Sequence, residues 1–270
     1  MLKQRVITAA LLAPVVLACV FLLPLEYFSL FFAFVTLLGA WEWAALAGLR
    51  NVATKALFTS GVFLALAVAQ QLFSAGSSVT VLLPAALVWG IAFIWVYRYP
   101  IPGAWQSTAI RALIGLLLLS AAWLSMVELK ALNAGNSWIL LVLLVVWAAD
   151  IGAYFSGKRW GSRKLAPNVS PKKTWEGVFG GLFAVALTAA GFAYWNELSL
   201  LNLVLLTLLC VVVGLVSVMG DLFESLLKRH AGLKDSGRIL PGHGGVLDRI
   251  DSILAAVPFF YIGLSALSLA

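Results

Sequence analysis

Two short stretches of this chain carry carboxylates, hydroxyls and cations at spacings suited to chemistry on phosphates. In VSVMGDLFESLLKR, Asp221, Glu224, Ser225 and Lys228 fall at i, i+3, i+4 and i+7, and in LDRIDS, Asp248, Asp251 and Ser252 repeat the first three offsets. A helix puts such residues on one face, so each set forms an acidic stripe. Facing carboxylates in a low-dielectric site repel, and either protonation or a hard divalent cation relieves them. Oxygen-only ligands favour magnesium or calcium over zinc. Between the stripes lie Lys228, Arg229, Lys234, Arg238 and Arg249, interspersed with Gly237, Gly242, Gly244 and Gly245. Glycines let backbone approach a ligand closely, and cations beside metal-binding carboxylates are what a polyphosphate requires. A second polar loop, GKRWGSRKLAPNVSPKKTWEG (157–177), adds Ser170, Lys172, Lys173 and Thr174 behind Pro167 and Pro171. Asp150, in LVVWAADIGAYF, precedes that loop's basic cluster by roughly 12 Å of helix.

The elements that must hold these groups are membrane helices. Hydrophobic residues make up 63% of the 270 positions and charged residues 11%, far from soluble composition. Apolar runs of the roughly 20 residues that cross a bilayer recur along the whole chain. Hydropathy and loop signals predict an all-α integral membrane protein with about nine helices, at 5–24, 27–48, 54–74, 78–97, 110–132, 137–157, 176–195, 200–227 and 249–268. The start, MLKQRVITAALLAPVVLACVFLLPL, has the charged lead and apolar run of a signal peptide, and VLAC around Cys19 resembles a lipoprotein cleavage site. The run up to Leu25 is long enough to span, and it is read as the first helix. Cys19 and Cys210 both lie in apolar runs, as buried thiols do.

An odd number of spans puts the termini on opposite sides. With a cytoplasmic N-terminus, every one of the 18 Lys and Arg residues except Lys130 falls at a cytoplasmic end or loop. The net charge of +7 is thus concentrated on one face, unlike the general basicity that would suggest nucleic acid. The chain reads as a single polytopic domain over 1–270. Helices one to five (1–134) carry no checkable motif, and 135–270 holds the candidate catalytic helices and loops.

Simpler readings compete at several positions. Lys158, Arg159, Arg163 and Lys164 serve as topology determinants or anionic-lipid contacts, as do Lys3, Arg5, Arg50, Lys55, Arg98 and Arg111. For Asp221 and Asp248 the alternative is an intramembrane ion pair with Lys228 or Arg249. Glu42, in the WEW of helix two, serves either a packing contact, a salt bridge or the site itself. His243 either hydrogen-bonds the loop or acts on a ligand. A transporter also keeps ionisable residues inside the membrane, but near the midplane and often in repeated helices. Here the carboxylates lie toward one interface, which favours an enzyme working on a lipid headgroup with a soluble co-substrate.

The segment SLLKRHAGLKDSGRILPGHGGVLDRID (225–251) resembles the signature of the phosphatidate cytidylyltransferases, or CDP-diacylglycerol synthases. That pattern runs Ser-x-apolar-Lys-Arg, four residues, Lys-Asp-x-small, two residues, apolar-Pro-x-His-Gly-Gly-apolar-x-Asp-Arg-apolar-Asp, and every fixed position is met. SPKKTWEG (170–177) and the Asp150 segment are also similar to family features. The resemblance implies that CTP and phosphatidate give CDP-diacylglycerol and diphosphate. It further implies dependence on Mg2+, with the number of metal ions open, and a site at the cytoplasmic surface of a bacterial inner membrane. On that reading Asp221, Asp248, Asp251, Asp150 and Glu224 are metal ligands. Lys228, Arg249 and His243 join Asp221, Asp248 and Asp251 in catalysis. Ser170, Lys172, Lys173, Thr174, Ser225, Arg229, Lys234, Asp235, Arg238, Gly244 and Gly245 contact substrate. A homodimer is allowed but not required. The Asp-Gly-x-x-Ala-Arg element of enzymes that consume CDP-alcohols is absent.

Overall fold

The computed structural model describes the backbone of residues 2–74 and 79–269, and side chains within 10–72 and 82–269. The side chains of Lys3 and Arg5 lie outside the described residues. Among the described residues nine α-helices follow in order: α1 (Leu2–Leu22), α2 (Leu25–Ala47), α3 (Val52–Ser74), α4 (Val79–Arg98), α5 (Thr108–Ala131), α6 (Gly135–Trp160), α7 (Trp175–Trp195), α8 (Leu200–Ala231) and α9 (Leu247–Ala266). Hydropathy placed all nine to within a few residues. Among the described residues, seven of them are long and apolar enough to cross a membrane. The apolar stretches of the other two, Ala10–Leu22 in α1 and Leu82–Arg98 in α4, are shorter. The chain is a multi-pass, overwhelmingly helical membrane protein.

One element departs from the all-helical expectation. Within the loop read over 157–177, β1 (Lys164–Ala166) and β2 (Ser170–Thr174) pair antiparallel, with Lys164 opposite Thr174 and Ala166 opposite Ser170. Hydropathy is blind to so short a hairpin, because its register is set by the turn and by the helices it joins. Glu176 closes the hairpin by accepting hydrogen bonds from Ser162 N–H, Ser162 Oγ and Arg163 N–H. Thr174 caps α7 through Gly177 N–H at 3.1 Å.

Helix α5 is the central post: 78% of its apolar window is buried, against 17% for α3 at the periphery. Two apolar clusters share α5, α8 and α9. One gathers α2, α3 and α4 around Trp43, Leu118 and Phe223, and the other gathers α6 and α7 around Val142, Val185 and Phe260. Lipid chains are as apolar as leucine, so helices here associate by close packing rather than by escape from water. The α6–α7 contact shows this, since a Cβ on Gly181 would lie 2.6 Å from the Ala149 carbonyl. Asp150 is therefore held beside the helix that carries the hairpin.

Buried Arg111 was expected to mark topology. It instead donates to the carbonyls of Ala47, Trp105 and Gln106, closing the C-terminal end of α2. At the other end of the bundle, Lys130 donates to the Val20 carbonyl and to Asn136 Oδ1, and stands over the Phe28 ring.

Candidate active site

Helix α9 begins without a capping side chain of its own, because its N-cap residue is Val246. The first amides of a helix need acceptors and carry partial positive charge. Two carboxylates supply both needs. Glu42, 3% exposed on α2, accepts from Val246 N–H at 3.1 Å and Leu247 N–H at 2.8 Å. Asp248 Oδ2 accepts from Gly245 N–H at 2.8 Å and Ser236 N–H at 2.9 Å. Ser236 Oγ stands between them, 3.1 Å from Glu42 Oε2 and 2.9 Å from Asp248 Oδ2, so its one proton serves either carboxylate. The glycine-rich loop from Gly232 to Gly245 is thereby folded onto the start of α9. Gly244 has φ +83°, a conformation that side-chained residues rarely adopt, and the loop closes on itself through Leu240 N–H to the Gly244 carbonyl.

Lys228 joins the two acidic stripes. Its ammonium lies 2.5 Å from Glu224 Oε2 and 2.7 Å from Asp248 Oδ1, all three side chains being nearly excluded from solvent. Asp221 is claimed from elsewhere: Lys173 of β2 reaches it at 2.6 Å, and Ser225 Oγ donates to it at 3.3 Å. The ion-pair alternative thus holds for both aspartates in this structure, with Lys173 rather than Lys228 or Arg249 as the partner of Asp221. Sequence spacing could not show this, because Lys173 and Asp221 belong to elements 48 residues apart.

The other oxygens of this acidic set are less fully engaged. Glu224 Oε1 is buried with no hydrogen bond, and Asp251 lies against Glu224 and within electrostatic reach of Asp221. Asp150 feels Asp221, Lys173 and Arg249. Among the described residues no three His, Cys, Asp or Glu side chains form a ready-made metal cage. Magnesium does not require one, since it is commonly held by one or two carboxylates plus substrate phosphates and water. An oxygen-only set with an orphaned buried carboxylate oxygen fits such a cation.

Two cavities meet at this site. One, about 530 Å³, is walled by the loop: Lys234, Asp235, Gly237, Arg238, His243, Gly244 and Arg249. The other, about 620 Å³, has Asp150, Asp248, Arg249, Asp251 and His243 at its polar end, and continues between apolar residues of α1, α2 and α6 such as Val16, Phe34 and Trp147. His243 and Arg249 line both. His243 Nδ1 is buried without a hydrogen-bond partner, while the residue's backbone N–H bonds the Leu240 carbonyl.

Most of the residues singled out from sequence converge here. Lys234, Asp235, Arg238, Gly244 and Arg249 line the loop cavity, Gly245 donates into Asp248, and Ser225, Lys228 and Lys173 hold carboxylates. Others stand back from the cavities. Arg229 binds the Val169 carbonyl at 3.4 Å and anchors the hairpin, Thr174 is a helix cap, Lys172 is exposed, and Ser170 pairs in the sheet. Residue type and spacing do not single out Ser236 inside the signature segment and leave the role of Glu42 open, although a carboxylate in an apolar helix is itself a signal.

Comparison with known proteins agrees with this geometry. Residues 3–267 match the model of the Cytidylyltransferase family. The chain is 46% identical over 261 residues to a protein of Pseudomonas aeruginosa named phosphatidate cytidylyltransferase, covering 96% of each chain. A Haemophilus influenzae protein of the same name is 39% identical over 284 residues, covering 96% of this chain and 97% of its own. One from Bacillus subtilis is 43% identical over 163 residues, covering 57% and 60%. With nearly its whole length matched and a site of cations, glycines and carboxylates to go with it, the chain belongs to the cytidylyltransferase family and is a nucleotidyltransferase.

Proposed function

We propose that this protein converts CTP and phosphatidate into CDP-diacylglycerol and diphosphate. The observation that carries this reading is the meeting of the two cavities at His243 and Arg249. The loop cavity suits a soluble polyanion: Lys234, Arg238 and Arg249 offer positive charge, and glycines expose backbone. The second cavity is amphipathic in the order a phosphatidate needs, with polar groups at one end and apolar helix walls beyond. A lipid seated there brings its phosphate to the wall shared with the triphosphate.

A phosphatidate oxygen forms the new bond to the α-phosphorus of CTP, and the bond from that phosphorus to the bridging β-oxygen breaks, releasing diphosphate. The attacking phosphate is already anionic at neutral pH, so no strong base is needed; alignment and neutralisation of charge carry the catalysis. Arg249 and His243 lie where both substrates' phosphates converge. Lys228, locked between Glu224 and Asp248, keeps those carboxylates in place and adds its charge. Asp251, Glu224, Asp221 and Asp150 would hold Mg2+, which would supply charge neutralisation for the cytidylyl group being transferred. Asp248 also stands in that set; a metal using its Oδ1 would displace Lys228, and one binding Asp221 would displace Lys173. The basic residues orient the site toward the cytoplasm, with nine spans in a bacterial inner membrane.

The test uses purified protein in detergent with labelled CTP, phosphatidate and magnesium. A labelled lipid product that disappears with a chelator and returns on adding magnesium is the expected result. No lipid product, together with solute flux into proteoliposomes, would overturn the enzyme reading in favour of a transporter.

A further inference from the structure

Glu42 lies outside the signature segment, on a helix from the half of the chain that shows no recognisable motif, yet its carboxylate is enclosed by that segment. It accepts from Val246 N–H, Leu247 N–H and Ser236 Oγ, contacts that span 194 to 205 residues of sequence. The fit is steric as well as polar. The nearest atoms a Cβ added to Gly237 would meet are those of Glu42, with its carboxyl carbon at 2.6 Å, and one added to Gly245 would meet both Glu42 and Ser236 Oγ. Two glycines on opposite arms of the loop thus close around one carboxylate. From there a chain of contacts runs through Ser236 to Asp248 and on to Lys228 and Glu224.

We propose that Glu42 is a positioning residue whose buried carboxylate is the template on which the phosphate-handling loop folds, so that α2 determines how the loop presents its cations to the nucleotide. The argument rests on the proposed reaction only for the activity readout. Two backbone N–H groups and the shared Ser236 hydroxyl face this side chain, and a glutamine would offer one oxygen and turn an NH2 group toward N–H donors. Gly237 has no positive φ to defend, so Gly237→Ala tests chiefly the contact with Glu42, whose atoms are the nearest to the added Cβ.

The experiment is a double-mutant cycle of Glu42→Ala and Gly237→Ala, with Glu42→Gln alongside, measured in detergent by CTP turnover and by amide exchange over residues 235–247. Glu42→Gln is expected to lower turnover on the order of 100-fold, the cost of misplacing reacting groups by about an ångström. It should raise KM for CTP while leaving KM for phosphatidate in place, and speed exchange at Ser236, Val246 and Leu247 ahead of the helices. Gly237→Ala should be damaging in the wild-type background and add less than about twofold once Glu42 is Ala, because the clash is gone. If Glu42→Ala does not fold, Glu42→Gln and Gly237→Ala alone decide by the selective CTP effect and the loop exchange. Wild-type turnover in Glu42→Gln, equal damage by Gly237→Ala in both backgrounds, or exchange that rises equally in every helix would each overturn the proposal. A wild-type enzyme that made no CDP-lipid would sink the proposed reaction instead, leaving the exchange result to judge Glu42.

Discussion

Asp248 and Asp251 stand one turn apart on the same helix, are the same residue type, and both lie near Glu224, yet the structure treats them as opposites. Asp248 is saturated: Lys228 holds one oxygen, and Ser236 and Gly245 donate to the other. Asp251 accepts from its neighbour Ser252 N–H, at 2.7 Å, and its carboxyl otherwise lies against that of Glu224, with Asp221 nearby. The first region of α9 is finished by the protein alone. In the second, Lys228 and Lys173 are taken up by Glu224 and Asp221, and among the described residues Asp251 has no ion pair of its own, so it is where a ligand cation contributes most. Spacing therefore identifies a functional face, while the partners around each carboxylate separate the residue that builds the site from the one left to bind.

Three substitutions test that division. The largest effect is expected at Asp248→Ala, which strands Lys228 and the loop amides: stability should fall by about 3–5 kcal/mol, the usual cost of breaking a buried pair, and turnover should be lost with it. Thermal unfolding in detergent beside a CTP turnover assay measures both. Asp251→Asn should separate the two readouts, with turnover down on the order of 100-fold and the unfolding midpoint equal to or above wild type, since repulsion with Glu224 is relieved. A midpoint drop matching that of Asp248→Ala would erase the distinction. The smallest effect is expected at Lys130→Met, at the far end of the bundle. Its loss removes hydrogen bonds to Val20 and Asn136 worth about 1 kcal/mol each, and leaves KM and turnover as they were. A change in turnover there would mean that the two ends of the molecule are coupled.

Much of this was legible in the chain itself. Nine apolar runs appear as helices among the described residues, seven of them long and apolar enough to cross a bilayer, because length and apolarity are local properties. The acidic stripes were legible for a similar reason: helical periodicity converts i, i+3 and i+4 into a face without reference to the rest of the fold. Where the reading fell short, a distant partner decided the outcome. Asp221 pairs with Lys173 across 48 residues, Arg111 closes a helix that ends 64 residues before it, and the helix-capping carboxylate of α9 sits on α2. Membrane helix, acidic face and signature loop are determined by residue type and spacing alone. Which carboxylate is spent on holding the loop and which stays open was decided only by tertiary structure, because a charge in a low-dielectric interior is governed by the groups within a few ångströms of it, and those come from opposite ends of the sequence.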